Sequence, residues 1–308
     1  MQVSWLRNRI LKRLIFYLIS LAAYYFIYDR LINFQYWDKV NFTIKFGWYQ
    51  ANLILVFLLL WILNILSETK KWQVLIGPFI KISFRDALKQ FFAGSFTAVG
   101  SPARVAEPGG RMLLIQKEQR IHALLMTSTG GLIQNIVIGF FGIIAFYMVG
   151  VQININLNNN YLFILIIPPL FIGLFLVILR IYFRDRMKTI WAVVKKIKSS
   201  VLINATFLTI VRYMVFNLQL IIVMILFAPE LDFVDVLQLS PVYFFVITLI
   251  PSFLLADVGI RGSAAILVFA RLGVNEPVLL IVILGLWVFN VVFPALIGGV
   301  ILHIKKGL

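Results

Sequence analysis

Apolar residues in this chain neither alternate nor form narrow stripes; they run for long stretches between short polar breaks. A helix that crosses a bilayer needs about 20 mostly apolar residues. On that measure residues 14–28, 47–66, 123–149, 161–181, 201–227 and 278–303 read as six spans. The first follows Arg7, Arg9, Lys12 and Arg13 as a secretory leader does, but no small-x-small cleavage site precedes Asp29, so it reads as an uncleaved span. Two regions do not fit a simple span. Residues 91–99 are apolar but too short to cross and end in Gly100, Ser101 and Pro102. Residues 237–270 are long enough, yet Pro251, Asp257, Gly259, Arg261 and Gly262 interrupt them, so they read as two short segments meeting at a polar corner.

Basic loops set the orientation. Residues 180–198 carry seven Lys and Arg against Asp185, whereas 150–160 and 228–235 carry none. Short loops rich in Lys and Arg stay in the cytoplasm. The first loop is therefore placed inside and the other two outside, with both termini cytoplasmic. Residues 67–120 must then begin and end inside, and 237–270 begin and end outside. Two dips from opposite faces satisfy this parity; so would two fully spanning hairpins. The expectation is an all-α, polytopic integral membrane helix bundle in the plasma membrane. It is one transmembrane domain over 1–308, with about six firm spans plus two broken or re-entrant hairpins. Short, Gly- and Pro-interrupted pairs in the two halves of a chain are the pattern of an alternating-access transporter with a midplane site.

Composition agrees. Of 308 residues 62% are hydrophobic and 13% charged, with a mean hydropathy of +0.98, against about a quarter charged in soluble domains. A separate soluble catalytic domain does not fit in what remains. The formal charge of +16 suits loops facing anionic lipid better than nucleic acid. The chain has no cysteine, and His122 and His303 are far apart, so neither thiol chemistry nor a metal motif is indicated and no cofactor is implied. No Gly-rich Walker loop is present.

Charge inside the bilayer costs about 2.5–3.5 kcal/mol per residue even on the lenient insertion scale, so charged residues in the apolar runs are the functional candidates. They are Glu68 and Lys71, Arg104, Glu107 and Arg111, Arg212, and Asp257 with Arg261. Gln134, Gln219 and Asn290 are uncharged polar residues within spans. Five positive and three negative groups would attract an anion, and arginine offers the two-pronged donor that phosphate accepts. Local structure explains several of them as well. Asn64, Glu68, Lys71 and Trp72 share one helix face and could form an interfacial ion pair with a Trp anchor. Arg104 with Glu107, and Asp257 with Arg261, have the spacing of helical ion pairs. Lys81, Arg85 and Lys89 read as an amphipathic helix on anionic lipid.

The stretch from Ser101 to Arg111 resembles the Pro-x-Arg-x-Gly-Glu-x-x-Arg signature of the lysylphosphatidylglycerol synthase transmembrane-region family, the flippase-like domain of proteins once named dolichol-phosphate sugar synthases. Pro102, Arg104 and Glu107 match; Ala106 replaces Gly and Arg111 lies one residue late. The stretch 251–264 resembles a second signature through Pro251, Gly259 and Arg261, with Gly262 where an acid is expected. Weaker echoes at Asn64 to Trp72, Gln134, Arg212 with Gln219, and Trp287 to Pro294 follow in order.

The resemblance implies movement of a phospholipid or polyprenyl-phosphate-linked head group between leaflets of the cell envelope membrane. Arg104, Arg261 and Arg212 would hold the phosphate, and Glu107 and Asp257 would orient them. Arg104 and Arg261 are then expected to approach each other near the membrane middle. A membrane glycosyltransferase using a polyprenyl-phosphate donor is the alternative, but the outer loops hold only Asp29, Asp38, Glu230, Asp232 and Asp235, with no Asp-x-Asp pair. A non-catalytic subunit of an envelope-lipid pathway is a third reading.

Overall fold

A computed structural model describes residues 47–99, 101, 104–152, 197–250 and 254–306, with a few isolated positions between 25 and 33. The expected span at 161–181, most of that at 14–28, the loop residues 153–160, the basic loop residues 180–196, and Pro102 and Pro251 lie outside the described residues.

Among the described residues the fold is helical throughout, without strands. Helix α1 is Trp48–Ile76, α2 Phe84–Val99, α3 Glu107–Met112, α4 Arg120–Gln152 and α5 Ser199–Phe227. Helix α6 is Phe233–Leu249, α7 Leu254–Phe269, α8 Glu276–Trp287 and α9 Phe293–Lys306, the last two joined by a π turn at Val288–Val292. Four helices are long and apolar enough to cross a membrane: Trp48–Ile76, Lys117–Val149, Ser199–Phe227 and Glu276–Ile304. Leu59, Ile136, Phe140, Phe207 and Val300 stand exposed along them, as residues facing lipid do.

The ends follow local chemistry. Ser83 accepts from the Asp86 backbone N–H at 3.1 Å and donates its hydroxyl to the Asp86 carboxylate at 2.7 Å, capping α2. Asp232 accepts from Val234 N at 2.8 Å and starts α6. Pro108 and Pro277 occupy first turns, where no N–H is needed. Pro241 lies inside α6, and the Ser240 hydroxyl donates to Asn217 on α5 at 2.7 Å.

Helix α5 is central, with 44% of its most apolar window buried against 17–22% for the other three spans. It packs along α1 on one side and against α6 and α8 on the other. One core, containing Leu220, Met224, Tyr243, Phe269 and Leu279, joins α5 to α6, α7 and α8. A second gathers Trp72, Leu75, Ala87, Met126 and Ala205 from α1, α2, α4 and α5. Backbones cross closely where side chains are missing: a Cβ on Gly298 of α9 would collide with the Phe92 carbonyl of α2, and one on Gly110 of α3 with the Ala93 carbonyl.

The stretch 237–270 does divide into two short helices, α6 ending at Leu249 and α7 starting at Leu254, but Asp257, Gly259, Arg261 and Gly262 all lie within α7 and do not interrupt it. Asp257 and Arg261 are a turn apart there and neutralise each other, so the helix continues through them.

Candidate functional site

Three polar side chains sit near the middles of three of the long helices. Arg212 lies thirteen residues from the start of Ser199–Phe227. Gln134 lies fourteen into Arg120–Gln152, and Asn290 is central in Glu276–Ile304. The fourth helix, α1, supplies Asn64 and Glu68 one turn apart. All of these meet. Arg212 donates from Nη1 to Glu68 Oε2 at 2.9 Å and to Gln134 Oε1 at 2.7 Å, and from Nε to Asn64 Oδ1 at 2.8 Å. Asn64 Nδ2 donates in turn to Asn290 Oδ1 at 2.7 Å, and Asn290 Nδ2 to the Leu286 carbonyl at 3.1 Å.

The π turn presents Asn290 at this level, and on the same turn the Phe289 carbonyl accepts from Trp61 Nε1 at 2.7 Å. Such turns within α-helices are frequent at functional sites.

Glu68 also binds Lys71 Nζ at 2.6 Å and Arg111 Nη2 at 3.1 Å. Arg111 reaches on to Glu107 Oε1 at 2.6 Å, and Glu107 Oε2 binds Arg104 Nε at 3.0 Å. The chain of ion pairs therefore runs Lys71, Glu68, Arg111, Glu107, Arg104, with Arg212 branching at Glu68. Trp72 forms the floor: the Arg111 guanidinium lies 4.7 Å from its ring centre and its Nε1 donates to Gln90 at 2.7 Å. Trp72 and Lys71 are buried in the bundle, not interfacial anchors. Gly94 leaves room for Arg111, since a Cβ there would lie 2.9 Å from its Cγ.

Exposure separates two kinds of cation. The side chains of Lys71 and Arg111 are 3% and 2% exposed, whereas Arg212 keeps 15% and Arg104 48%. Arg104 stands at the corner between α2 and α3 with φ +57°, a left-handed conformation uncommon for a residue with a Cβ. The corner is tied down around it. Ser101 Oγ accepts from Ala106 N at 3.0 Å, and the Thr97 hydroxyl donates to the Ala106 carbonyl at 2.8 Å. Irregular backbone inside a membrane protein needs such partners.

A second charged group lies on α7. Asp257 Oδ2 binds Arg261 Nε at 2.8 Å and accepts from Trp287 Nε1 at 3.0 Å. Arg261 keeps 30% side-chain exposure. Gln219 is elsewhere, fully buried in α5 without a hydrogen-bond partner among the described residues. Lys81, Arg85 and Lys89 are exposed and outside the cluster.

The two groups also use Asn64, Trp61, Trp72, Gln90 and Trp287. Helix spacing from Glu68 marks Asn64 and Trp72, four residues before and after it; Gln90 and Trp61 carry no signal that separates them from ordinary polar or aromatic residues of a span.

The family model described as lysylphosphatidylglycerol synthase TM region matches residues 14–298. The chain belongs to this family. Membership, with the four apolar helices, makes it a membrane protein of a lipid-related family. No curated protein and no solved structure matches it. Both signature stretches of the lysylphosphatidylglycerol synthase TM region resemblance fall on the two corners just described, and the late position of Arg111 is where it binds both Glu68 and Glu107.

Proposed function

We propose that this protein moves the head group of an anionic phospholipid or lipid-linked phosphate between leaflets. The site is a midplane anion site between the two corners, in the plasma membrane, and the protein acts as a transporter rather than an enzyme. The observation that carries this reading is the division of labour among the arginines. Arg111 is enclosed between two carboxylates, while Arg104 and Arg261 are each held by one carboxylate and keep 48% and 30% of their side-chain surface exposed. Among the described residues Arg104 bonds through Nε, and Arg212 through Nε and Nη1. Both Nη groups of Arg104 and Nη2 of Arg212 are then available to phosphate oxygens, the geometry that arginine suits. Glu107 and Asp257 hold Arg104 and Arg261 in place. The 237–270 pair enters from the outer face as a re-entrant dip and the 84–112 pair from the inner one.

The test is leaflet exchange of a labelled anionic phospholipid in vesicles reconstituted with the full chain. Arg104→Gln, at an exposed corner, should insert and fold normally yet lower exchange about tenfold or more, the equivalent of one charge-assisted hydrogen bond. Exchange at the rate of the unaltered protein would remove Arg104 from the site.

A further inference from the structure

The cluster is not charge-neutral. Lys71, Arg104, Arg111 and Arg212 are four cations, and among the described residues their ion pairs go to two carboxylates, Glu68 and Glu107. Asp257 and Arg261 balance each other. Four less two leaves two positive charges, placed among helices whose outer faces are apolar. Charges there interact more strongly than in water, by about fourfold at an effective dielectric near 20, so the excess must be met by an anion or by solvent. Lys71 and Arg111 are enclosed, and the cations with accessible surface are Arg104 and Arg212.

We infer that the ligand of this site is a phosphomonoester dianion without an amino group, and that zwitterionic and aminoacylated head groups are rejected. This rests on the reading that the cluster binds a lipid phosphate. A phosphomonoester carries a charge of about −1.5 to −2 at neutral pH and three acceptor oxygens, which matches two excess cations and the free guanidinium edges of Arg104 and Arg212. A phosphodiester brings one negative charge and two terminal oxygens, leaving one cation unmatched. A head-group ammonium would enter beside Arg104 and Arg212 and be repelled by both.

Binding of soluble short-chain ligands to the full chain in detergent tests this, by titration calorimetry with dioctanoyl phosphatidic acid, phosphatidylglycerol, phosphatidylethanolamine and inorganic phosphate. Phosphatidic acid should bind at least about tenfold tighter than either other lipid, a difference well within what one buried charge supplies. Its advantage over phosphatidylglycerol should grow from pH 5 to pH 8, as the second phosphate proton, with pKa about 6, is lost. Lys71→Met removes one excess charge and should bring the two lipids closer together; Arg104→Gln does the same by an exposed substitution if the first variant fails to fold. Inorganic phosphate binding as tightly as phosphatidic acid keeps the dianion and assigns it to a free phosphate source. Equal or tighter binding of phosphatidylglycerol or phosphatidylethanolamine by the unaltered protein, or no binding of any ligand, overturns the inference. Dianion preference without leaflet exchange would instead refute transport and leave the ligand class standing.

Discussion

Asp257 and Arg261 show how much a single pair of side chains decides. Removing one partner of a buried ion pair typically destabilises by about 3–5 kcal/mol, because the other charge is stranded. The loss should be smaller here, since Arg261 keeps 30% side-chain exposure. Asp257 has a second duty, accepting from Trp287, which asparagine can also perform. Asp257→Asn with Arg261→Gln should therefore melt closer to the unaltered protein than either single variant does. Leaflet exchange should stay low in the double variant, because the guanidinium proposed to hold phosphate is gone. Thermal melting in detergent beside vesicle exchange separates the two effects, and normal exchange by the double variant would reduce this corner to a structural role. The short-range pairs here were legible in the sequence: Arg104 with Glu107, Glu68 with Lys71, and Asp257 with Arg261 are all three or four residues apart. The links from Glu68 to Arg111 and Arg212, 43 and 144 residues away, were not. Helical spacing fixes a neighbour one turn away but says nothing about which distant helix comes alongside.

At the scale of helices, the contact that braces the corner at Arg104 is α9 against α2. A Cβ on Gly298 would meet the Phe92 carbonyl, and no rotamer change can move backbone. Forcing atoms into a packed core usually costs about 1–3 kcal/mol; here the two helices would have to separate. Gly139 of α4 offers a control, with nothing within 4 Å of its Cβ position, where alanine should gain a few tenths to about 1 kcal/mol of helix propensity. Gly298→Ala should lower the melting temperature and Gly139→Ala leave it equal or higher. Equal melting of the two variants would mean that the α2–α9 crossing does not hold the corner. The same scale explains the π turn. Residues 278–303 read as one uninterrupted apolar run, because periodicity senses side-chain polarity and not the one-residue change in backbone winding that sets Asn290 opposite Asn64.

For the whole molecule, the asymmetry of basic loops predicts the orientation, and cysteine labelling reads it directly because the chain has no cysteine of its own. Glu230, exposed between α5 and α6, should be labelled from outside the cell when changed to Cys, and Lys81, exposed before α2, from the cytoplasm. Labelling of the Glu230 position from the cytoplasm alone would invert the arrangement. The hydrophobic runs by themselves determined that the chain is a helical membrane protein, since no other described segment length and polarity suits about 30 Å of hydrocarbon. The cost of charge in that medium singled out Glu68, Lys71, Arg104, Glu107, Arg111, Arg212, Asp257 and Arg261 before any fold was known. Only the tertiary structure decided that six of these form one connected network while Asp257 and Arg261 form a separate neutral pair. It alone decided which arginines are enclosed and which remain accessible. Burial of a charge depends on the helices packed around it, and that packing is a property of distant segments brought together, not of the sequence beside the charge.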